Sequence, residues 1–239
     1  MAEPGFLGVV GFGSQGWGAV LLSGAVVTLA AALCGLGLGV VIGAFGVWAK
    51  LSGGRLLQGL ADAYTTVLRG VPDLLVIYLL YFGSSSVLTS VAGLFGQEGY
   101  FALPGFVAGT IAIGIISGAQ STEVFRGAFR AVSPGEIEAA RACGMPPFLR
   151  FRRIIAPLTL RHALPGMGNV WLGLLKESSL LSATGVAELM RQAQVAAGST
   201  RMPFDFYIAA AILYIVLAMG SGLLVEAGER HYSRGVRRT

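Results

Sequence analysis

The sequence predicts an all-α, polytopic membrane protein with five transmembrane helices. Three observations predict it. Charged residues make up 12% of the 239 positions and hydrophobic ones 54%. A soluble domain carries about 25% charge, so this chain has too little to cover a water-facing surface. The uncharged runs are also long, several near the ~20 residues that cross a bilayer as a helix. Finally, most of the 17 lysines and arginines fall on one side of a five-span path. A soluble protein with an apolar core would need shorter uncharged runs.

The first uncharged run lies between Glu3 and Lys50. It holds one long helix at about 15–48, beginning near Gln15 after an apolar lead-in. The next run lies between Asp73 and Glu98. Leu56, Leu57, Leu60, Tyr64, Val67 and Leu68 recur at helical spacing before it, which draws the second span at about 56–83. Arg69, Asp73 and the intervening Gly-Val-Pro shape the start of a helix there. A third span, about 101–125, fills the run between Glu98 and Glu123. A basic polar loop, about 126–163, follows. The fourth span, about 164–182, rests on the short run Leu164 to Leu175, which ends in Lys176-Glu177. The fifth, about 206–227, lies between Asp205 and Glu226. The whole chain, 1–239, reads as a single transmembrane domain.

Charge sets the expected orientation. Lys50, Arg55 and Arg69 fall near the first connection, and Arg126, Arg130, Arg141, Arg150, Arg152, Arg153 and Arg161 crowd the third. Arg230, Arg234, Arg237 and Arg238 lie in the tail. The opposite side receives Arg191 and Arg201, with Lys176 ambiguous. Cytoplasmic loops carry the excess of Lys and Arg, so the N-terminus is expected outside and the C-terminus in the cytoplasm. The net charge of +5 then reports topology rather than a nucleic-acid patch. The opening MAEPGFLG lacks the basic start of a cleaved signal peptide. Cys34 and Cys143 give no sign of a disulfide.

Gly35, Gly39 and Gly43 repeat every fourth residue in the first span, and Gly105/Gly109 and Gly114/Gly118 do so in the third. Small residues at this spacing let helix backbones approach in lipid. GLGLG is no dinucleotide motif, having neither a preceding strand nor a following acidic residue. Lys50 and Lys176 are the only lysines, and neither sits in a GxxxxGK[ST] loop. His162 and His231 lack ligand-spaced partners, and GxSxG and CxxC are absent. Transport is left as the main class. The alternatives are an ATP-independent channel or secondary transporter for small polar solutes, and a membrane-anchored scaffold or enzyme. Ser117, Gln120, Asn169 and Glu177 are the polar candidates for a substrate pathway, each weighed against an interhelical hydrogen bond. Glu177 could also pair with Lys176. Glu123 and Arg126, three apart on a helix, form an ion pair.

The basic loop is the most informative stretch. Ser133 to Met145 read SPGEIEAARACGM. Ser133 is a good N-cap, Pro134 suits the first helical position, and Glu136 at the third completes a capping box. Gly144 is placed to stop the helix in a left-handed conformation, and Pro146-Pro147 forbids continuation. A second helix follows, with Phe148, Phe151, Ile155 and Leu158 in a stripe and Arg150, Arg152 and Arg153 off it. That basic face can meet anionic headgroups. The first helix has few large apolar residues and two carboxylates, so it suits a groove on another protein better than a bilayer surface.

The run EAARACGMPPFLRFRRIIAP, Glu138 to Pro157, resembles the EAA signature of permease subunits of bacterial ATP-binding-cassette importers. Glu138, Ala139, Ala140, Gly144, Ile154 and Pro157 match its spacing, and Ala156 departs from a usual Leu. YTTVLRGVPDLLVIYLLYFG, TEVFRGAF and LLKESSLLS look like the polar amino-acid branch. RGVPDLL is most like the Q-type subunits of histidine/lysine/arginine/ornithine and opine importers. Gln120 stands where relatives often have Tyr. The resemblance implies a type I importer permease fold in the bacterial inner membrane, with the EAA residues forming a cytoplasmic coupling helix. It implies a second, related permease subunit completing the pathway, hence a heterodimer, and two ATP-binding-cassette subunits that bind ATP and Mg. An external substrate-binding protein and membrane lipid complete the expected partners, with no nucleic acid. This chain would then hold no cofactor and be no enzyme. The substrate would be a polar, basic amino acid or an opine.

Overall fold

A computed structural model describes residues 6–13, 16–97 and 99–232. Gln15, the expected start of the first span, lies outside the described residues, as do Glu3, Glu98 and the tail arginines Arg234, Arg237 and Arg238. Helices dominate the described residues, in the order α1 (Phe6–Val10), α2 (Gly18–Leu51), α3 (Arg55–Gly70), α4 (Asp73–Leu94), α5 (Gly105–Arg130), α6 (Pro134–Ala142) and α7 (Pro147–Arg150). A π-helical turn (Phe151–Ile155) leads into α8 (Ala156–Glu177), then a 3-10 segment (Ser178–Thr184), α9 (Leu189–Thr200) and α10 (Pro203–Tyr232).

Four of these helices are long and apolar enough to cross a membrane: α2, α4, α5 and α10 up to Arg230. The stretch drawn as the fourth span, 164–182, lies across the second half of α8 and the 3-10 segment. Arg161, His162, Pro165 and Asn169 lower the apolarity of α8, so it does not meet that measure. Its Val170, Trp171, Leu174 and Leu175 are nevertheless buried. They meet Ala112, Ile113 and Ile116 of α5 and Ile77 of α4 in the main core.

The second span, drawn as one helix over 56–83, is divided. Val71 adopts an extended conformation, φ −97° and ψ 139°. Pro72 disfavours the helical region for the residue before it. The Pro72 carbonyl then accepts the Leu75 N–H at 2.9 Å and starts α4. The expected start at Asp73 is therefore observed, whereas the continuous helix is not. α3 instead becomes a separate amphipathic helix, with Leu56 and Leu60 exposed.

α5 is the central element. Two thirds (67%) of its apolar stretch is buried inside the molecule, against 11% for α10. α2 lies along α5 on its glycine face. A β-carbon at Gly43 would come within 2.6 Å of the Ser121 Cβ, and one at Gly35 within 2.9 Å of the Ile113 Cγ1. The glycine repeat thus sets the approach of the two backbones. A second core joins α1, α2, α9 and α10 around Leu21, Leu189 and Phe206.

Candidate functional site

The helix between the third span and α8 forms as its sequence requires. Pro134 occupies its first turn and Ser133 precedes it in an extended conformation. The expected capping box is not made, because the Ser133 side chain accepts no capping bond. The Glu136 N–H, its natural donor, is already taken by the Ser133 carbonyl at 3.1 Å. The stop is as expected. Gly144 has φ +74°, its N–H donates to the Arg141 carbonyl at 2.9 Å, and the Met145 N–H donates to the Ala140 carbonyl at 3.1 Å. This pair of bonds satisfies the last helical carbonyls.

α6 presents one face outward. Glu136, Glu138, Ala139 and Arg141 are exposed, Ile137 is half-buried and Ala140 is buried. Gly144 is also exposed, and nothing lies near the position of its missing β-carbon. The helix rests on α7 and the π turn. In that turn the Ala156 N–H donates to the Phe151 carbonyl. Pro157 explains the widening. It has no N–H, and its ring crowds the carbonyl four residues earlier, so an extra residue in the turn relieves the clash. Pro157 itself is exposed and Ile154 half-buried. The expected second helix is thus one run from α7 through α8, interrupted by this turn. Phe148 and Phe151 in its stripe are exposed, at 76% and 52%.

The four polar pathway candidates separate. Gln120 on α5 donates through Nε2 to the Glu177 Oε1 at 3.2 Å. Glu177 is half-buried, its Oε2 has no hydrogen-bond partner, and Asp73 lies within electrostatic reach. Glu177 therefore bonds the neighbouring helix, while Lys176 is exposed. Ser117 is fully buried and donates to the Gly35 and Gly114 carbonyls, both at 3.2 Å, which ties α5 to α2. Asn169 is exposed and lines a cleft with Gly222, Val225 and Glu226 of α10.

Two further polar clusters had weak signals in the sequence. At the end of α2, the Lys50 Nζ reaches Asp62 at 2.7 Å and Glu123 at 2.6 Å and donates to the Thr65 Oγ1 at 2.7 Å. The Arg126 Nε donates to Glu123 at 2.8 Å, so the expected pair is part of a larger cluster joining α2, α3 and α5. The hint was Lys50 itself, the lone charge on a 34-residue apolar helix. Toward the other end of α2, Glu188 is fully buried. Its carboxylate accepts from the Met190 and Arg191 amides at 2.8 and 2.7 Å and from the Tyr214 hydroxyl at 2.9 Å. Burial pushes this carboxyl above the usual carboxylate range, against the pull of its hydrogen bonds. The hint was an acidic residue opening α9, where it caps free amides. Among the described residues no three His, Cys, Asp or Glu side chains are grouped to hold a metal. Cys34 and Cys143 are free and exposed.

Residues 35–238 match the family described as binding-protein-dependent transport system inner membrane component. The chain is 52% identical over 234 residues to the octopine transport system permease protein OccQ of Rhizobium meliloti, covering 98% of this chain and 99% of that one. It is 42% identical to the histidine/lysine/arginine/ornithine transport system permease protein HisQ of Escherichia coli K12, covering 93% and 97%. A crystal structure of an amino acid ABC transporter with histidines superimposes with a TM-score of 0.77 at 32% identity, covering 90% of this chain and 95% of that one.

Proposed function

This chain belongs to the inner membrane component family of binding-protein-dependent transport systems, and from that premise we propose how it moves its substrate. It is a permease subunit of an ATP-driven importer for polar amino acids or opines. Such permeases work with an ATPase and a substrate-binding protein. α6 is the coupling helix. Its exposed Glu138 and Ala139 enter a groove on the ATPase, the buried Ala140 is its inward anchor, and Gly144 ends it. Ile154 and Pro157 link it to α8, so closure of the ATPase moves the spans as a body. ATP and Mg bind the ATPase subunits, and this chain performs no catalysis of its own.

The substrate passes between this chain and a second, related permease subunit. Five spans, α8 serving as the fourth, place the N-terminus outside and α6 and the C-terminus in the cytoplasm. The Gln120–Glu177 pair offers a carboxylate and an amide to a cationic substrate. Asn169 stands apart on the α8–α10 cleft, and Ser117 holds α2 against α5 rather than meeting substrate. We assign an opine carrying a guanidinium, because the greater identity is to the octopine permease.

The observation that carries this reading is the geometry of α6: a short helix with Glu138 and Ala139 exposed, Ala140 buried beneath them and a left-handed stop at Gly144. The test is reconstitution with the cognate ATPase, partner permease and binding protein in proteoliposomes. Octopine is expected to stimulate ATP hydrolysis and to accumulate inside. Stimulation by histidine but not octopine would overturn the substrate, and uptake without ATP would overturn the coupling.

A further inference from the structure

At the α6 end of the molecule, α2, α5 and the π turn enclose a groove of about 600 Å³, lined by Val47, Trp48, Phe125, Phe129, Phe151 and Ile155. Almost nothing polar lines it. Trp48 is 62% exposed and stands three residues before the end of α2, where an indole belongs at a membrane–water boundary. The π turn puts Phe151 and Ile155 on the groove and leaves the two residues between Phe151 and Ile154, Arg152 and Arg153, exposed. Neither arginine has a hydrogen bond or ion pair among the described residues.

We propose that this groove is a binding site for an anionic membrane phospholipid, with an acyl chain along α2 and the headgroup at Arg152 and Arg153. Three features select this occupant. The groove is apolar and of a size that a single acyl chain fills. It opens at the depth where glycerol and phosphate begin, marked by Trp48. Between its lining residues Phe151 and Ile155 the chain carries two exposed cations without ion-pair partners, Arg152 and Arg153, each attracting anionic lipid. The bound lipid would lie against the π turn, the joint between α6 and α8, so it would brace the element that carries movement into the spans. Pro157 gains a second consequence: the turn it widens aims the two aromatic and aliphatic side chains into the groove.

The proposal rests on the membrane placement of α2 and not on the transported substrate. The test therefore reads lipid directly, and its failure would leave the transport reading untouched. The assembled transporter, purified in mild detergent, is titrated with phosphatidylglycerol or phosphatidylcholine and examined by native mass spectrometry. Wild type is expected to retain phosphatidylglycerol roughly tenfold better than phosphatidylcholine. Arg152→Gln with Arg153→Gln should abolish that preference, and Ala44→Trp, at a further α2 position that lines the groove, should fill it and remove the bound lipid. Equal retention of both lipids by wild type would overturn the proposal. So would an unchanged preference in the double arginine variant, which alters only exposed side chains and keeps the test valid if Ala44→Trp fails to assemble. A photocrosslinker at Phe151 that captures the second permease or the ATPase in native membranes, instead of lipid, would overturn it as well.

Discussion

Gly144 holds φ at +74° with open space around it, so a side chain there acts on the local turn and on whatever docks, not on the core. Left-handed backbone costs a non-glycine residue roughly 1–2 kcal/mol. Gly144→Asp is expected to reach the membrane in normal amount, as an immunoblot would show, yet to lose nearly all ATP-driven uptake. Normal uptake would refute the assignment of α6. Glu177 makes a different prediction, because one of its carboxylate oxygens is bonded to Gln120 and the other has no partner. Glu177→Gln should raise KM for a cationic substrate roughly tenfold, about 1.4 kcal/mol, with little change for a neutral one. An equal change for both would mark a structural role. The two residues also differ in legibility. Gly144 was readable because a helix stop is local. The Gln120–Glu177 bond joins positions 57 apart, and only packing brings them together.

Among the elements, the run from α6 to α8 shows how a local rule shapes a mechanical part. Pro157 removes one backbone donor and the chain answers with a π turn. Pro157→Ala should let the turn relax to an ordinary α-helix and rotate α6 relative to α8. The expected result is a several-fold drop in substrate moved per ATP hydrolysed, with assembly intact. An unchanged transport-to-hydrolysis ratio would show that the turn has no part in coupling. A proline also divides the second span, here by disfavouring the helical region for the residue before it. Helical spacing from Leu56 to Leu68 joins this stretch to the apolar run that follows, but the extended Val71 ends α3 before α4 begins. Periodicity reports which face is apolar and is blind to one peptide of altered conformation. The capping box shows the opposite limit. Its residues are present, yet the Ser133 carbonyl takes the donor that its hydroxyl needed.

For the molecule as a whole, orientation is the open consequence of charge. Cys143 is exposed at the end of α6, so in a Cys34→Ser background it serves as a native reporter. A membrane-impermeant maleimide should label it in inverted vesicles and not in right-side-out cells; labelling from outside would reverse the topology. The family also places this chain in an assembly, which suits the unequal enclosure of its helices. α5 is largely covered, while α10 faces outward along most of its length and has room for lipid or a second subunit.

The sequence alone determined the membrane class, the apolar helices, the EAA helix with its stop, and the glycine face of α2. Each depends on composition or on spacing within one turn or a few, where covalent geometry leaves little choice. Tertiary structure decided what those helices hold between them. Lys50 meets Asp62 and Glu123 from two other helices, Glu188 is buried against α2 and α10, and Gln120 finds Glu177. A charge or amide in an apolar run must find a partner, because an unsatisfied polar group there is costly. Which partner it finds depends on how helices cross, and no spacing along one helix records that.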